Sequence, residues 1–304
     1  MPFARNLVVE SYFMKIHRFR NKPFVERLLR LLPDKLYISL LYRKNVGRWP
    51  SLSHPCTFTE KLQWLKLHDR NPLYSILVDK HAVKPYISNK IGSEHVIPTL
   101  AVWNTVDEIN PDVLPKGFVL KWNHDSGSIF ICRDKSSFDL ERAKRKLSLG
   151  QRRNGFWYGR EWPYKNITPC ILAEQLLVDS DHPNDLIDYK FYCFNGEPAY
   201  CQVIRDRHVK ETIDFYDMDW NHQEFVGLNP KAPNGSTPVA KPVTLDLMKG
   251  ICKQLSHDIP FVRIDLYEVD GKVSFGEMTF YPASGFGRFT PSVWDERLGD
   301  MIHL

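Results

Sequence analysis

Apolar and charged residues alternate most sharply in Phe261-Val-Arg-Ile-Asp-Leu-Tyr-Glu-Val-Asp-Gly-Lys-Val-Ser-Phe-Gly-Glu-Met-Thr-Phe-Tyr-Pro282. Val262, Ile264 and Leu266 interleave with Arg263, Asp265 and Tyr267, the period-2 pattern of a half-buried strand. Asp270-Gly271-Lys272 predicts a three-residue hairpin loop with Gly271 in the left-handed region, followed by a second strand. That register sets Asp265 opposite Glu277 and Arg263 opposite Thr279 on one face. Like charges directly opposed destabilise a sheet unless something neutralises them, and the hard, oxygen-seeking candidate is Mg2+. Arg263 beside them can face a phosphate. Two other readings stay open: an exposed hairpin with solvated charges, or a two-residue turn that sends the carboxylates to opposite faces.

Upstream, residues 1–55 carry helical patterning, with Phe24, Leu28, Leu29, Leu31 and Leu32 in one segment and Leu36, Ile38, Leu40 and Leu41 in the next. Arginine and lysine are interspersed throughout. Such a segment either packs on its own domain with its basic groups solvated or lies on an anionic surface or partner. Thr57-x-x-Glu60 is a capping box that opens a helix carrying Leu62, Trp64, Leu65 and Leu67. Residues 79–92 read as a helix stopped by Gly92, with Pro85 demanding a kink or a late start. Lys80 and Lys84 would share a face of it, either solvated or across a polyanion.

A strand follows over 96–103. Residues 117–133 then read as strand, small polar loop, strand. The loop Asn123, His124, Asp125, Ser126, Gly127 and Ser128 is either an ordinary turn or a set of backbone N–H groups offered to phosphate oxygens, with Lys121 as counter-charge. It is not a G-x-x-x-x-G-K-[ST] loop. Ser137 opens a charged helix through Leu147, and residues 151–166 predict a mobile loop whose Arg152, Arg153 and Arg160 can reach an anion. Strands are expected over 171–178, 187–194, 198–205 and 212–218, with Asn195-Gly196 as a tight hairpin turn. The segment 228–242 reads as a surface loop. A helix over 243–257 points Leu245, Leu247, Met248, Ile251 and Leu255 inward, and a last helix starts near Pro291.

The chain's 304 residues allow a substantial core in one large or two to three intimate domains. A formal charge of +5 without a concentrated basic stripe argues against nucleic acid and mildly favours anionic ligands. The six cysteines form no C-x-x-C pair and follow no secretory leader, so they read as reduced thiols of a cytoplasmic protein. No apolar run approaches the ~20 residues of a membrane span. The histidines show no metal spacing, which argues against zinc.

The order of these features is more specific than any one of them. Phe58-Thr-Glu-Lys-Leu-Gln-Trp64, Asp79-Lys80, Lys121-x-Asn-His-Asp-Ser-Gly127, Asp188-Tyr-Lys-Phe-Tyr-Cys-Phe-Asn-Gly196 and Glu277-Met-Thr-Phe-Tyr-Pro282 resemble the ATP-grasp superfamily. Within it the chain is similar to the TupA-like branch, over roughly residues 55–300. The resemblance implies an α/β (α+β) fold of two subdomains clamping ATP. It divides the chain into a basic helical extension (1–55), an N-terminal subdomain (56–115), a small phosphate-loop subdomain (116–177) and a C-terminal subdomain with the metal site (178–304). It implies that Lys80, Lys121 and the loop with Asn123, His124, Ser126 and Gly127 contact the phosphates. Glu174-Gln175-Leu176-Leu177 becomes the adenine hinge, Asp181 the ribose ligand with Asp179 as competitor, and Asp265 and Glu277 the Mg2+ ligands. Thr279 stands where many of these ligases carry Asn, which weakens the second metal.

The activity implied is a carboxylate–amine ligase working through an acyl phosphate, on a uronic acid or acidic residue of a cell-surface polysaccharide. Lys121 and Arg263 would then serve the phosphoryl transfer. Arg205, Arg207 and Arg288 are candidates to grip the carboxylate substrate, or else pair with Asp206 or Asp295. Lys190 points either to the phosphates or to solvent. Competing classes are a glycosyltransferase using Asp217-x-Asp219, a non-catalytic nucleotide-binding protein anchored by its basic N-terminus, and a kinase that stops at a phosphorylated product; for the ligase itself the basic N-terminus leaves peripheral association with the inner membrane face open.

Overall fold

The computed structural model describes residues 27, 29–151, 153–180, 186–205, 211–228 and 232–304. Asp181, Arg152, Arg207 and most of the basic N-terminal segment, Phe24 and Leu28 included, lie outside the described residues.

Residues 34–91 hold the helices α1 (Asp34–Val46), α2 (Phe58–His68), α3 (Leu73–Val78) and α4 (Val83–Ile91). Strands β1 (Thr99–Trp103), β2 (Phe118–Trp122) and β3 (Ile129–Cys132) precede helices α5 (Leu140–Ser148) and α6 (Gly155–Gly159). Then come β4 (Ile171–Gln175), β5 (Asp188–Phe194), β6 (Glu197–Arg205), β7 (Thr212–Asp217), β8 (His222–Gln223) and β9 (Val226–Gly227). The chain closes with α7 (Leu245–Ser256), β10 (Phe261–Val269), β11 (Lys272–Thr279), β12 (Phe289–Thr290) and α8 (Val293–Asp300). A four-stranded sheet runs in the order β1-β4-β2-β3 and a six-stranded one in the order β11-β10-β5-β6-β7-β8. Every pairing within both is antiparallel.

The large sheet buries one core with α2, α3, α7 and α8. Phe58, the first residue of α2, sits in its middle, its ring edge-on to Phe261 at 4.9 Å and to Phe289 at 5.8 Å. The capping box forms: Thr57 accepts from Glu60 N, and the Glu60 carboxylate accepts from Thr57 N. Along α7 the inward face is Leu245, Met248, Ile251, Cys252 and Leu255, whereas Leu247 is exposed. A 3.6-residue period carries position 247 off the face that 245 and 248 share. The small sheet packs its own core against α5 through Phe118, Leu120, Ala143 and Leu147, and Trp122 Nε1 donates to Leu147 O at 2.7 Å. Asp139, not Ser137, caps α5.

The expected 115/116 boundary does not follow the sheets, because β1 pairs with β4 from the far side of it. Nor does the segment before residue 55 stand apart. Tyr37, Leu40 and Leu41 of α1 are buried, and Tyr42 shares a 2.9 Å hydrogen bond with Thr59. Residues 151–166 hold α6 and a 3-10 turn at Trp162–Tyr164 rather than the loop expected of them. Pro85 gives a late start: the helix begins at Val83, leaving Lys80 in the turn ahead of it.

The β10–β11 hairpin reaches the expected register by an unexpected route. Its turn has two residues, Asp270 and Gly271, both with positive φ (48° and 72°), and Val269 pairs with Lys272. Carried along the ladder, that turn would put the carboxylates on opposite faces. A bulge between Asp265 and Leu266 restores the expected pairing, so Asp265 faces Glu277 and Arg263 faces Thr279. Gly276 is the extra residue. A Cβ there would lie 3.0 Å from both Asp265 O and Tyr267 Cε2.

Truncating the ring at the centre of the large core tests this packing. Phe58→Ala is expected to cost about 3–5 kcal/mol, read from urea unfolding followed by tryptophan fluorescence.

Candidate active site

Two carboxylates opposed on neighbouring strands need cations, and the fold brings them from four segments. Arg263 forks onto Asp265, Nε to Oδ1 at 2.6 Å and NH2 to Oδ2 at 2.8 Å, and the same NH2 reaches Glu277 Oε1 at 3.1 Å and Thr279 Oγ1 at 3.0 Å. Lys190 of β5, paired with Asp265 across the ladder, donates to Asp265 Oδ2 and lies 3.9 Å from Asp188. Lys80 Nζ sits 3.3 Å from Glu277 Oε2 and donates to Asp125 O at 3.1 Å. Burial alone would raise the Glu277 carboxyl. Lys80, Arg263, Lys190 and Lys121 together overturn that and hold it far below the usual carboxylate range.

Beside this cluster lies an apolar pocket between the sheets, walled by Ile97, Val119, Ile131, Leu177 and Leu186. Its polar floor is Glu174, 4% exposed, with Lys84 Nζ 2.8 Å from one oxygen and Lys121 Nζ 2.5 Å from the other. Burial raises the Glu174 carboxyl, but the two lysines prevail and keep it ionised. Lys80 and Lys84 therefore do not share a target: Lys80 serves the hairpin and Lys84 the pocket. Glu174 also departs from expectation, since its side chain orients Lys121 while Gln175 N donates to Pro98 O at 3.1 Å. Gln175, Leu176 and Leu177 do line the pocket.

The β2–β3 loop lies against the hairpin. The Asn123 side chain donates to Asp79 Oδ2 and Thr168 O and accepts from Cys170 N, all within 3.0 Å, which pins the loop rather than freeing it for a ligand. His124 Nδ1 is 3.2 Å from Asn123 Oδ1, and burial lowers its pKa. Ser126 and His124 line the cleft, and Gly127 takes a positive φ of 98° at the loop's tip.

Three arginines expected at an anionic substrate are used elsewhere. Arg160 is buried over the Tyr37 ring with Nε 3.0 Å from Asp34 Oδ1. Arg205 pairs with Asp214 at 3.1 Å and donates to Thr237 O at 2.7 Å. Arg288 donates to Asn45 O at the end of α1. Asp295, offered as its partner, accepts from Thr59 instead. Of the described arginines expected at an anionic substrate, Arg153, 3.6 Å from Asp125 Oδ2, does line the cleft. Asp179 accepts from Asp270 N at 3.1 Å and so stabilises the hairpin turn. Asp217 accepts from Asp219 N and Asn221 N at 3.0 and 2.8 Å, the bonding of an ordinary turn.

Two features escaped the sequence. The Tyr267 hydroxyl bonds Asp188 at the edge of the apolar pocket. Lys66 is buried beside the cleft. Its signal was present, a lysine four residues after Leu62 on the face of α2 that also carries Leu65.

The donor set suits Mg2+ and a polyphosphate. Asp265 and Glu277 offer four hard carboxylate oxygens on one face. Five cationic side chains, Lys80, Lys84, Lys121, Lys190 and Arg263, face Asp265, Glu277, Glu174 and Asp188, so the cleft is net positive.

Because the folded-state pKa of Glu277 is depressed, its stabilising contribution is complete above the ordinary glutamate value of 4.5 and is lost as pH falls below it. Urea midpoints measured from pH 7 down to pH 3 should fall in the wild type, and fall less steeply in Glu277→Gln.

No curated protein sequence matches the chain significantly. Among solved structures, D-alanine–D-alanine ligase from Bacillus anthracis complexed with ATP is 13% identical, with a TM-score of 0.42 over 81% of this chain and 72% of that one. VanG D-Ala:D-Ser ligase from Enterococcus faecalis is 10% identical, with a TM-score of 0.41 over 74% and 60%. The ATP-grasp ligase PsnB with its minimal precursor is 12% identical, with a TM-score of 0.39 over 69% and 54%. The model of the family described as TupA-like ATPgrasp matches residues 60–303, and the chain therefore belongs to the TupA-like ATP-grasp family.

Proposed function

We propose that the protein is an ATP-dependent, ADP-forming carboxylate–amine ligase. The observation that carries this reading is the Asp265–Glu277 pair, ringed by Lys80, Lys190 and Arg263 and opening onto an apolar pocket floored by Lys121 and Glu174. A base fits the apolar pocket, with Gln175 to Leu177 alongside it. Phosphates then lie over the lysines, and the transferred group lies at the hairpin.

A carboxylate does not react with an amine until one of its oxygens becomes a leaving group, and phosphorylation supplies one. Phosphoryl transfer asks the protein mainly for positioning and charge neutralisation. Lys80, Lys121, Lys190 and Arg263 supply that charge from fixed strands and a pinned turn. Mg2+, held by Asp265 and Glu277, would draw charge from the phosphate oxygens. Thr279 donates to Glu277 Oε1 at 3.2 Å, a role in orienting that ligand rather than in holding a second metal. Glu174 keeps Lys121 charged and aimed, so its effect runs through the lysine.

Family membership supports a narrower reading of the substrate: a uronic acid or acidic amino acid joined to an amine or amino acid in cell-surface polysaccharide synthesis. The turn bonding of Asp217 removes the geometric support for a glycosyltransferase.

ADP and phosphate release from ATP and Mg2+ across a panel of uronic and amino acids, with and without amines, tests the reading. The expected result is ADP formation that requires both acid and amine and falls about 10²–10³-fold or more in Glu277→Ala. ADP formation without consumption of an amine would indicate a kinase. Silence across the panel, alongside turnover of a nucleotide sugar that depends on Asp217, would overturn the proposal.

A further inference from the structure

The chamber that holds Glu277, Thr279 and Arg263 is also lined by Tyr158, Glu161, Tyr164, Tyr281 and Ser284. Glu161 is unlike the other carboxylates. Asp265, Glu277 and Glu174 each have a lysine or arginine in direct contact. Glu161 has none among the described residues. Its Oε1 accepts from Ser284 Oγ at 2.7 Å, and its Oε2 has no hydrogen-bond partner among the described residues.

The nearest cation stands behind the wall. Lys66 is 1% exposed, and its three ammonium protons have three carbonyl acceptors: Gln63 Oε1 at 2.9 Å, Gly159 O at 2.8 Å and Ser284 O at 2.7 Å. It also lies 3.4 Å from the Ser284 hydroxyl that donates to Glu161. The lysine thus ties α2, the end of α6 and the segment after Tyr281 into one wall, and Ser284 connects that wall to Glu161. Ser284 adopts a left-handed conformation (φ 54°), which L side chains take only under constraint.

We infer that this chamber receives the amine substrate, with the Glu161 carboxylate binding its ammonium group and taking its proton, Ser284 orienting the carboxylate, and Lys66 holding the wall. The assignment rests on the ligase reading of the same cleft. The rings of Tyr158, Tyr164 and Tyr281 around Glu161 suit an ammonium, which aromatic faces attract. Tyr164 feels the charges of Glu161, Glu277, Arg263 and Asp265, and it lines the same chamber as Glu161, Glu277 and Arg263. Burial pushes the Glu161 carboxyl up, which makes it a stronger base than a free carboxylate, and pushes Lys66 down to about 7.

The ammonium gives one proton to Glu161. The freed nitrogen lone pair forms the C–N bond at the acyl phosphate carbon, and the bond from that carbon to the phosphate oxygen breaks. Phosphate leaves with the electron pair and takes the second surplus proton of the nitrogen.

Hydroxylamine is unprotonated at neutral pH and attacks an acyl phosphate without a base, so it separates the two halves of the reaction. Wild type and Glu161→Gln are compared for acid- and ATP-dependent hydroxamate formation and for amide formation with the panel amines. The expected result is hydroxamate formation within a few-fold of wild type, with amide formation down about 10²–10⁴-fold. Equal loss of both products, or undiminished amide formation, overturns the role of Glu161 while leaving the ligase intact. A wild type that forms neither product with any acid sinks the ligase reading and this one with it. Should Glu161→Gln fail to fold, Ser284→Ala serves in its place. It removes the hydrogen bond to Oε1 and should lower amide formation about tenfold, with hydroxamate unchanged, and equal change in both products overturns the proposal.

Discussion

Everything at the centre of this molecule depends on keeping Asp265 and Glu277 side by side. Two carboxylates opposed on adjacent strands repel, and the sheet tolerates them because Arg263 bonds both at once, Lys190 joins it on Asp265 Oδ2 and Lys80 takes the remaining Glu277 oxygen. Each of the three cations comes from a different part of the chain: the strand itself, its neighbour β5, and the turn before α4. The cluster therefore ties the helical N-terminal half to the large sheet. It also explains why the hairpin carries a bulge at Gly276, since the turn alone would leave one carboxylate facing the core.

The same charges that hold the hairpin are the ones a polyphosphate would use. In the protein alone, lysine and arginine neutralise carboxylates; were Mg2+ and nucleotide bound as proposed, the cations would have phosphate oxygens to bind and the carboxylates the metal. Such an exchange keeps every charge paired in both states, which avoids the high cost of an unpaired charge in a partly dry cleft. Glu174 between Lys84 and Lys121 repeats the arrangement at the floor of the apolar pocket. Glu161 breaks it, and that exception is what singles the residue out.

The arginines show how a plausible inference from residue type fails. Arg160 was a reasonable reach to an anion and Arg205 and Arg288 reasonable grips for a carboxylate, and each instead fastens one segment of backbone to another. Guanidinium groups offer five donors in a rigid fork, a geometry equally suited to a substrate and to a cluster of main-chain carbonyls. Nothing in sequence spacing separates the two uses. Arg263 was legible because the alternating strand fixed which face it shared and with whom.

Local sequence was sufficient wherever chemistry and periodicity coincide within a few residues. It determined the helix opened by Thr57 and Glu60, the Asn195-Gly196 turn, the strands on either side of the small polar loop, and the face shared by Arg263, Asp265, Glu277 and Thr279. The last of these came out right although the turn was misjudged, because a two-residue turn and a bulge together restore the register of a three-residue loop. Tertiary structure alone decided which lysine meets which carboxylate, that Asn123 pins its loop, that β1 joins the small sheet, and that Glu161 lines the chamber beside the hairpin with Lys66 behind its wall. Those contacts join residues tens to hundreds of positions apart. Such distances carry no periodic signature, and they are set by how two sheets and their helices pack.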